Sequence, residues 1–283
     1  MDQQIINLYD EYTHKPLNRQ VFLSRLAKLV GSTAAALSLL PLLENNYAAA
    51  AVTKTDDLFT EYITYPGVPN TMKAYVARPK NETKYPAIIV IHENRGLNAH
   101  IEDVARRAAH EGFLTIAPNA LSALGKTAAN EDEARQMFTE LKAEDTLKNF
   151  MSAFDYLQTR KDCNGKIGCV GFCWGGGMAN KLAVNEPTLK AAVAFYGAQP
   201  DAADVPKIRA ALQLHYAGLD ERVDAGIPAY EAALKKNDVN YELYMYEGVN
   251  HAFHNDTNPA RYNEAAAKLA WQRSMDFFRK YLK

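Results

Sequence analysis

The stretch Lys166-Ile167-Gly168-Cys169-Val170-Gly171-Phe172-Cys173-Trp174-Gly175-Gly176-Gly177 decides the fold of this chain. Its first half is apolar and rich in β-branched residues, which predicts a buried strand, and a helical pattern follows from Trp174 to Asn185. Gly171 and Gly175 stand two residues before and two residues after Cys173. A very tight turn from strand to helix brings these two positions almost into contact, so that side chains there would clash. The pattern therefore predicts a nucleophile elbow that carries a thiol at its apex.

The chain alternates strand-like and helix-like segments on both sides of this elbow. Continuous apolar runs, typical of strands buried on both faces of a parallel sheet, cover 87–91, 113–117, 166–171, 191–196 and 211–215, and a further strand is expected at 241–246. Helices are expected at 101–111, 131–160, 174–185, 227–236 and 262–282. Residues 61–65 and 73–77 flank a Pro/Gly/Asn turn, which predicts an antiparallel pair at the sheet edge. We therefore expect an α/β fold, with a mostly parallel central sheet and helices on both faces, in one domain over 56–283.

Composition excludes some classes of partner. The 32 Lys and Arg residues balance 33 Asp and Glu residues, for a formal net charge of −1, and long runs of one charge sign do not occur. Nucleic acid binding is therefore not expected. The three cysteines, Cys163, Cys169 and Cys173, are too few and too close in sequence for a disulfide framework. A bridge between Cys163 and Cys169 is disfavoured because Cys169 lies in mid-strand.

Residues 1–55 form an N-terminal extension whose composition differs from that of the rest of the chain. The uncharged stretch from Leu29 to Leu43 follows several basic residues and precedes the small residues Ala48 to Ala51, which is the layout of an export signal. The segment also resembles a twin-arginine signal, although Gln20 stands in place of the second arginine. The alternative is a pair of retained helices packed on the domain or on a partner subunit. Cytoplasmic and exported locations both stay open, and a permanent membrane span is not expected because the apolar stretch is short.

Cys173 is the candidate nucleophile. At the N-terminus of a helix, free backbone N–H groups and the helix dipole favour the reactive thiolate. The alternatives are an ordinary buried cysteine, which would not need the two flanking glycines, and a metal site made of the three cysteines with a histidine, whose spacing matches no common pattern.

An elbow nucleophile needs an acid and then a histidine from later in the chain. Asp220 follows one predicted strand and His251 follows the next, so both should lie on the same rim as Cys173. Asp224 and Glu221 compete for the role of the acid, and His254 competes for that of the base.

The loop after the first buried parallel strand lies on the same rim. Backbone N–H groups of Asn94 and Trp174 are the candidate oxyanion hole. Glu93 is the candidate residue for controlling the protonation of the Cys173 thiol. The alternative is that its carboxylate only pairs with Arg95.

Four motifs together resemble the dienelactone hydrolase (carboxymethylenebutenolidase) family of α/β-hydrolases. They are Gly171-Phe172-Cys173-Trp174-Gly175-Gly176, His92-Glu93-Asn94-Arg95-Gly96-Leu97, Gly218-Leu219-Asp220 and Gly248-Val249-Asn250-His251-Ala252-Phe253. The resemblance covers about residues 58–283. It implies a Cys173, Asp220 and His251 triad that cleaves a lactone or ester through a thioester, and a Glu93 that contacts the resting thiol. We expect a small-molecule substrate and neither cofactor nor metal, and we leave a homo-oligomer open.

The substrate side departs from the family pattern. The family's carboxylate-binding arginine is missing from the loop Pro118-Asn119-Ala120-Leu121-Ser122-Ala123-Leu124, and Ala252 stands where a serine should follow the histidine. Arg95 or Lys126 could replace the missing cation, or both could be surface charges. Tyr196 and Tyr216 could line the pocket or simply pack. Dienelactone itself is therefore a doubtful substrate, and a binding protein without turnover is the alternative function.

Overall fold

The computed structural model describes residues 1–15, 17–47, 53–81 and 84–283. Eight strands form one sheet in the order β1-β2-β4-β3-β5-β6-β7-β8. The strands are β1 Leu58–Tyr65, β2 Met72–Pro79, β3 Tyr85–Ile91, β4 Leu114–Asn119, β5 Cys163–Phe172, β6 Ala191–Phe195, β7 Ala211–Ala217 and β8 Tyr241–Tyr246. The helices are α1 Gln3–His14, α2 Arg19–Val30, α3 Thr33–Leu43, α4 Ala99–His110, α5 Glu131–Phe138, α6 Ala143–Thr159, α7 Trp174–Asn185, α8 Glu221–Asp224, α9 Ile227–Lys236 and α10 Glu264–Leu282.

The sheet has the predicted mixed pairing. β3 to β8 run parallel, whereas β1 pairs antiparallel with β2, and β2 pairs antiparallel with β4. The expected antiparallel pair at the sheet edge and all the predicted strands are therefore confirmed. Because the parallel strands share one direction, the loops that leave their carboxyl ends converge on one rim.

Helices cover both faces of the sheet, as the unbroken apolar strands require. On one face, side chains of α6, α7 and α9 join the core, among them Phe150, Leu182 and Leu234. On the other face, α4 and α10 contribute residues such as Val104 and Phe278. The expected α/β-hydrolase layering is thus observed.

The helix predicted over 131–160 is wrong in one respect, because the chain forms two helices there. The apolar side of α5, with Ala134 and Met137, packs against the short 3₁₀ helix Ala120–Leu124. The apolar side of α6 packs against the sheet instead. One straight helix could not face both surfaces, so the chain breaks at residues 139–142.

The N-terminal helices have a small core of their own. Apolar side chains of α1, α2 and α3 pack on one another, and Ala260 is the partly buried residue that joins them from the rest of the chain. The structure describes three helices in this segment, and the predicted cleavage stretch at 48–51 lies outside the described residues. Retention and cleavage of the segment both stay predictions. No single described helix is long and apolar enough to span a membrane. Together α2 and α3 reach that length and hydropathy, but the pair is bent by 110°.

The elbow has the geometry that its glycines predict. Cys173 has φ 56° and ψ −116°, a strained conformation for a residue with a side chain. A Cβ on Gly171 would lie 1.9 Å from the carbonyl oxygen of Gly175, and one on Gly175 would lie 2.4 Å from the carbonyl oxygen of Ile91. Side chains are therefore excluded at both positions by backbone atoms that cannot move away.

We expect Gly171→Ala to lower the free energy of unfolding by about 3 kcal/mol, because its methyl group would overlap the backbone at the start of α7. Chemical denaturation measures this change. Gly177→Ala is the matched control in the same helix, because its Cβ would be 3.5 Å from the nearest atom. That variant should be as stable as wild type or more stable by up to about 1 kcal/mol. Equal stability of the two variants would contradict the clash.

Candidate active site

Cys173, Asp220 and His251 come together on the rim formed by the carboxyl ends of the strands. Cys173 follows β5, Asp220 follows β7, and His251 lies on the loop after β8. The Nδ1–H group of His251 donates to Oδ2 of Asp220 over 2.5 Å. The Sγ atom of Cys173 and a ring nitrogen of His251 lie within 4.8 Å of each other. The three residues that the sequence singled out thus form one buried cluster.

The electrostatics of the site favour a charged imidazole on His251 when Cys173 is a thiolate. Burial opposes the charge of His251, but an ionised Cys173 and Asp220 outweigh it and raise the pKa of His251 to about 10. Burial likewise opposes the charge of Asp220, yet the charge of His251 and its hydrogen bond hold the pKa of Asp220 below its ordinary value. An acid in this position stabilises the imidazolium that forms when His251 takes a proton.

The competing residues lie elsewhere. Burial and the negative charges of Asp220 and Glu247 raise the pKa of Asp224 to about 6, and the carboxylate that accepts the hydrogen bond from His251 is that of Asp220. His254 is stacked on Phe172, with ring centroids 4.9 Å apart. Burial, together with the charges of neighbouring groups, holds the pKa of His254 well below its usual range. This histidine therefore packs as a neutral ring in the core.

His14 of α1 is an unexpected member of the cluster. Its Nε2 atom lies 3.2 Å from Sγ of Cys173, and its ring meets the ring of His251 edge-on at 4.7 Å. The Nδ1 atom lies 2.8 Å from the carbonyl oxygen of Asp10, which can only accept, so Nδ1 carries the proton. Burial and then the charges of His251 and Arg222 lower the pKa of His14 well below its usual range. The neutral ring therefore presents an acceptor nitrogen to the thiol.

Glu93 shares the cavity with Cys173, but the hydrogen bond at Sγ is the one with His14. Oε2 of Glu93 accepts a hydrogen bond from Nδ2 of Asn255 over 2.9 Å, and Oε1 is buried without a partner among the described residues. The contact between Glu93 and the resting thiol, which the family resemblance implies, is thus replaced here by a contact from the N-terminal helix.

The predicted oxyanion groups lie beside Cys173. Trp174 is the first residue of α7, so its amide N–H has no acceptor within the helix. Asn94 lines the same cavity as Cys173, and its Nδ2 donates to the carbonyl oxygen of Thr13 over 2.9 Å. The loop that carries the backbone amide of Asn94, the second predicted oxyanion donor, is thus hydrogen-bonded to α1.

Of the candidate substrate residues, Arg95 and Tyr196 have buried side chains and Lys126 is exposed. The side chain of Arg95 is only 8% exposed, donates to Oδ1 of Asn94 over 2.6 Å and lies 3.8 Å from Glu131. Tyr196 is buried with φ 38°, and its ring centroid is 4.9 Å from that of His251. Lys126, in contrast, is exposed and pairs with Glu140 at 2.9 Å. Arg95 and Tyr196 therefore border the site, whereas Lys126 is an exposed charge that lines the neighbouring larger cavity together with Arg95. Tyr216 is buried in the core.

The sequence did not point to His14 or to Arg261, which both line the cavity. Arg261 is a buried cation that pairs with Asp10 at 2.7 Å and lies over the ring of Tyr9 at 5.0 Å. His14 reaches the site only through the docking of α1, whereas Arg261 comes from the loop after β8 and is paired there with Asp10 of α1. The one sequence feature that marks His14 is its spacing of one helix turn from Asp10. This spacing does not show where on the domain the helix docks.

The cluster of His14, Cys173 and His251 also has nitrogen and sulfur atoms within 4.8 Å of one another, a donor set of the kind that Zn²⁺ accepts. Of the three cysteines, which are all free, only Cys173 belongs to such a cluster among the residues described by the structure. The hydrogen-bonded acid behind His251 and the elbow below Cys173 favour a nucleophilic site over a metal site as the interpretation of this cluster.

Sequence comparisons relate this chain to a known family. The profile of the dienelactone hydrolase family matches residues 72–282. Two relatives carry the provisional name carboxymethylenebutenolidase. The one from Synechocystis is 33% identical over 81% of this chain and all of its own length. The one from Saccharolobus solfataricus is 31% identical over 75% of this chain and 95% of its own.

Solved structures show the same architecture. A dienelactone hydrolase, so named provisionally, from Klebsiella pneumoniae superposes with a TM-score of 0.72 at 28% identity, over 79% of this chain and 99% of its own. A fungal esterase from Rhizomucor miehei superposes over all of this chain with a TM-score of 0.66 and shares the fold alone, at 13% identity.

The fold and the rim cluster define an α/β-hydrolase. Within that superfamily the chain belongs to the dienelactone hydrolase family, as its motifs predicted. Membership makes it a hydrolase that acts on lactones or esters.

The short hydrogen bond between His251 and Asp220 should give a far-downfield proton NMR signal from Nδ1–H, because a charge-assisted bond strongly deshields its proton. We expect Asp220→Ala to abolish this signal. Asp224→Asn is the matched control and should keep it. Loss of the signal in Asp224→Asn instead would identify Asp224 as the partner of His251.

Proposed function

We propose that this protein hydrolyses small esters or lactones through a thioester on Cys173. The observation that carries the proposal is the 2.5 Å bond from His251 to Asp220 next to a cysteine on a strained elbow. In this assignment Cys173 is the nucleophile, His251 the general base and then the general acid, and Asp220 the residue that orients and stabilises His251.

Acylation begins when His251 takes the thiol proton and the thiolate attacks the substrate carbonyl carbon. The carbonyl oxygen becomes an oxyanion, which the amide N–H groups of Trp174 and Asn94 would stabilise. The tetrahedral intermediate then collapses, the C–O bond to the leaving group breaks, and His251 returns its proton to the leaving oxygen. An ester thus releases an alcohol, whereas a lactone opens and keeps its hydroxyl on the acyl group.

Deacylation uses the same groups with water as the nucleophile. His251 removes a proton from water, the hydroxide attacks the thioester carbon, and the C–S bond breaks. The sulfur takes the proton from His251, and the product leaves as a carboxylic acid. No other reactant is needed, because the two half-reactions consume one water and one ester bond.

Arg95 and Tyr196 are our candidates for substrate contacts. Arg95 lines both the cavity above Cys173 and a larger adjoining cavity of about 620 Å³. The ring of Tyr196 lies 4.9 Å from that of His251, and its buried hydroxyl has no partner among the described residues. The relatives named carboxymethylenebutenolidase act, by that name, on a lactone, but this chain lacks the arginine and serine of the family pattern, and we propose no particular lactone.

Cys173→Ala should abolish turnover of a panel of activated short esters and lactones, because the nucleophile is gone. Cys173→Ser should retain at most about 1% of kcat, since the base is tuned to a thiol. Steady-state kinetics on the purified full-length protein measure both. Cys163→Ala, which removes a free cysteine at the start of β5, is the control and should stay close to wild type. Equal turnover by wild type and Cys173→Ala would overturn the proposal, and tight ligand binding without turnover would favour a binding protein.

Asp220→Asn should lower kcat by about 10³-fold or more, because an amide in place of the carboxylate favours the wrong tautomer of His251. Asp224→Asn should keep kcat within about threefold of wild type, as it leaves the Asp220–His251 bond in place. The same kinetic assay measures both variants. A large loss in Asp224→Asn with none in Asp220→Asn would reverse the assignment of the acid.

A further inference from the structure

The cavity above Cys173 is too small for any ester. Its volume is about 10 Å³, which is room for roughly one water molecule. Thr13 and His14 of α1 line it together with Glu93 and Asn94 of the loop after β3. A substrate can therefore reach Cys173 only after α1 has moved.

The cover is held to the hydrolase by polar contacts. Side chains of α1 bond to the loop after β8, where Gln3 meets Asn250 at 2.6 Å and Asp10 meets Arg261 at 2.7 Å. On the other side, the hydroxyl of Tyr12 donates to Asp132 of α5 over 2.5 Å. Water can replace contacts of this kind at small net cost.

The apolar side of the cover faces inward, towards its own helices. Leu8, Tyr9 and Tyr12 of α1 pack with Phe22 and Leu26 of α2. Tyr12 and Phe22 are stacked, with ring centroids 4.3 Å apart. The three helices can therefore lift away from the site as one unit without exposing their core.

His14 gives the closed state a distinct chemistry. While Cys173 is a neutral thiol and His251 is uncharged, the Nδ1–H groups of His14 and His251 bond to Asp10 and Asp220. Both inner nitrogens then carry lone pairs that face one thiol proton. His14 accepts that proton over 3.2 Å, whereas Nε2 of His251 is buried without a partner among the residues described. The thiol is thus directed away from its base.

We propose that α1–α3 form a cap that opens to admit substrate, and that His14 is a positioning residue that holds Cys173 as a thiol while the cap is closed. The inference that the cap controls catalysis rests on the proposed function, whereas the inference that the cap moves does not. When the cap lifts, the thiol loses His14 and turns to His251, so substrate entry and formation of the nucleophile occur together. The same movement frees Asn94 from Thr13.

Alkylation of Cys173 by iodoacetamide measures opening without any ester. Asp132→Ala removes a carboxylate that holds Tyr12 and also Arg19, the latter at 3.0 Å, and should raise the rate of alkylation at Cys173 about tenfold. Asp276→Ala, which removes an exposed carboxylate paired with Arg279 on α10, is the matched control and should leave the rate unchanged. Peptide mass spectrometry assigns the modified cysteine. Equal rates in wild type, Asp132→Ala and Asp276→Ala would overturn the cap.

Hydrogen exchange of the alkylated full-length protein gives a second measurement. The added group does not fit into the closed cavity, so amides of α1 should exchange at least about tenfold faster after alkylation, while those of α4 and α10 should not change. Unchanged protection of α1 after complete alkylation would show that the helices are not a movable cover.

The role of His14 is tested by the ultraviolet absorbance of the thiolate at neutral pH, taken as a difference from Cys173→Ala. His14→Ala should increase the thiolate signal and the rate of alkylation, because Sγ is left with His251 as its partner. His14→Gln should return both towards wild type, because its amide oxygen can accept the thiol proton. A thiolate signal that is equal in wild type and His14→Ala would overturn this role.

The two proposals fail separately. If alkylation and exchange respond as expected but no ester is cleaved, the cap stands and the hydrolysis mechanism fails. If ester cleavage depends on Cys173 but alkylation ignores Asp132 and His14, the mechanism stands and the cap fails.

Discussion

The structure depends on the close approach of backbone to backbone at the elbow. Gly171 lies so near the carbonyl group of Gly175 that no side chain fits between them, and Gly175 is also too close to the end of β3 for a side chain. This approach sets the direction of α7 relative to β5 and places Cys173 at the N-terminus of that helix. The strain at Cys173 persists because the elbow joins β5, which is paired with β3, to α7, and all three are packed in the core.

The parts of the site that come from the sheet could be predicted from sequence, because their positions follow from strand direction. Asp220 and His251 each follow a parallel strand, so the loops that carry them must leave on the rim that also carries Cys173. The glycines fix the elbow by local sterics, which sequence displays directly. The fold and the meeting of these three residues follow from such short-range rules, whereas their catalytic roles stay a proposal.

The rest of the site depends on how separate units dock, and local rules do not contain that information. The segment with Leu29 to Leu43 reads equally well as an export signal and as part of a small helical unit, because both need an apolar helix. His14 lies far in sequence from Cys173, and nothing in the helical pattern of α1 marks its end as a contact for a thiol. The break between α5 and α6 has the same origin, since two different surfaces select the two helices.

The docking of α1 resolves an apparent conflict in the site. A hydrolase needs an accessible nucleophile and a paired base, yet Cys173 is buried and Nε2 of His251 has no partner among the described residues. Both observations have one cause, because His14 fills the space and accepts the proton that would otherwise pair with His251. An unpartnered imidazole nitrogen in a buried site is costly, and the cost falls away when the thiol turns back to it. In the proposed cap, the cost of the unpartnered nitrogen in the closed state therefore favours opening. The polar contacts of α1 must offset that cost to keep the cap closed.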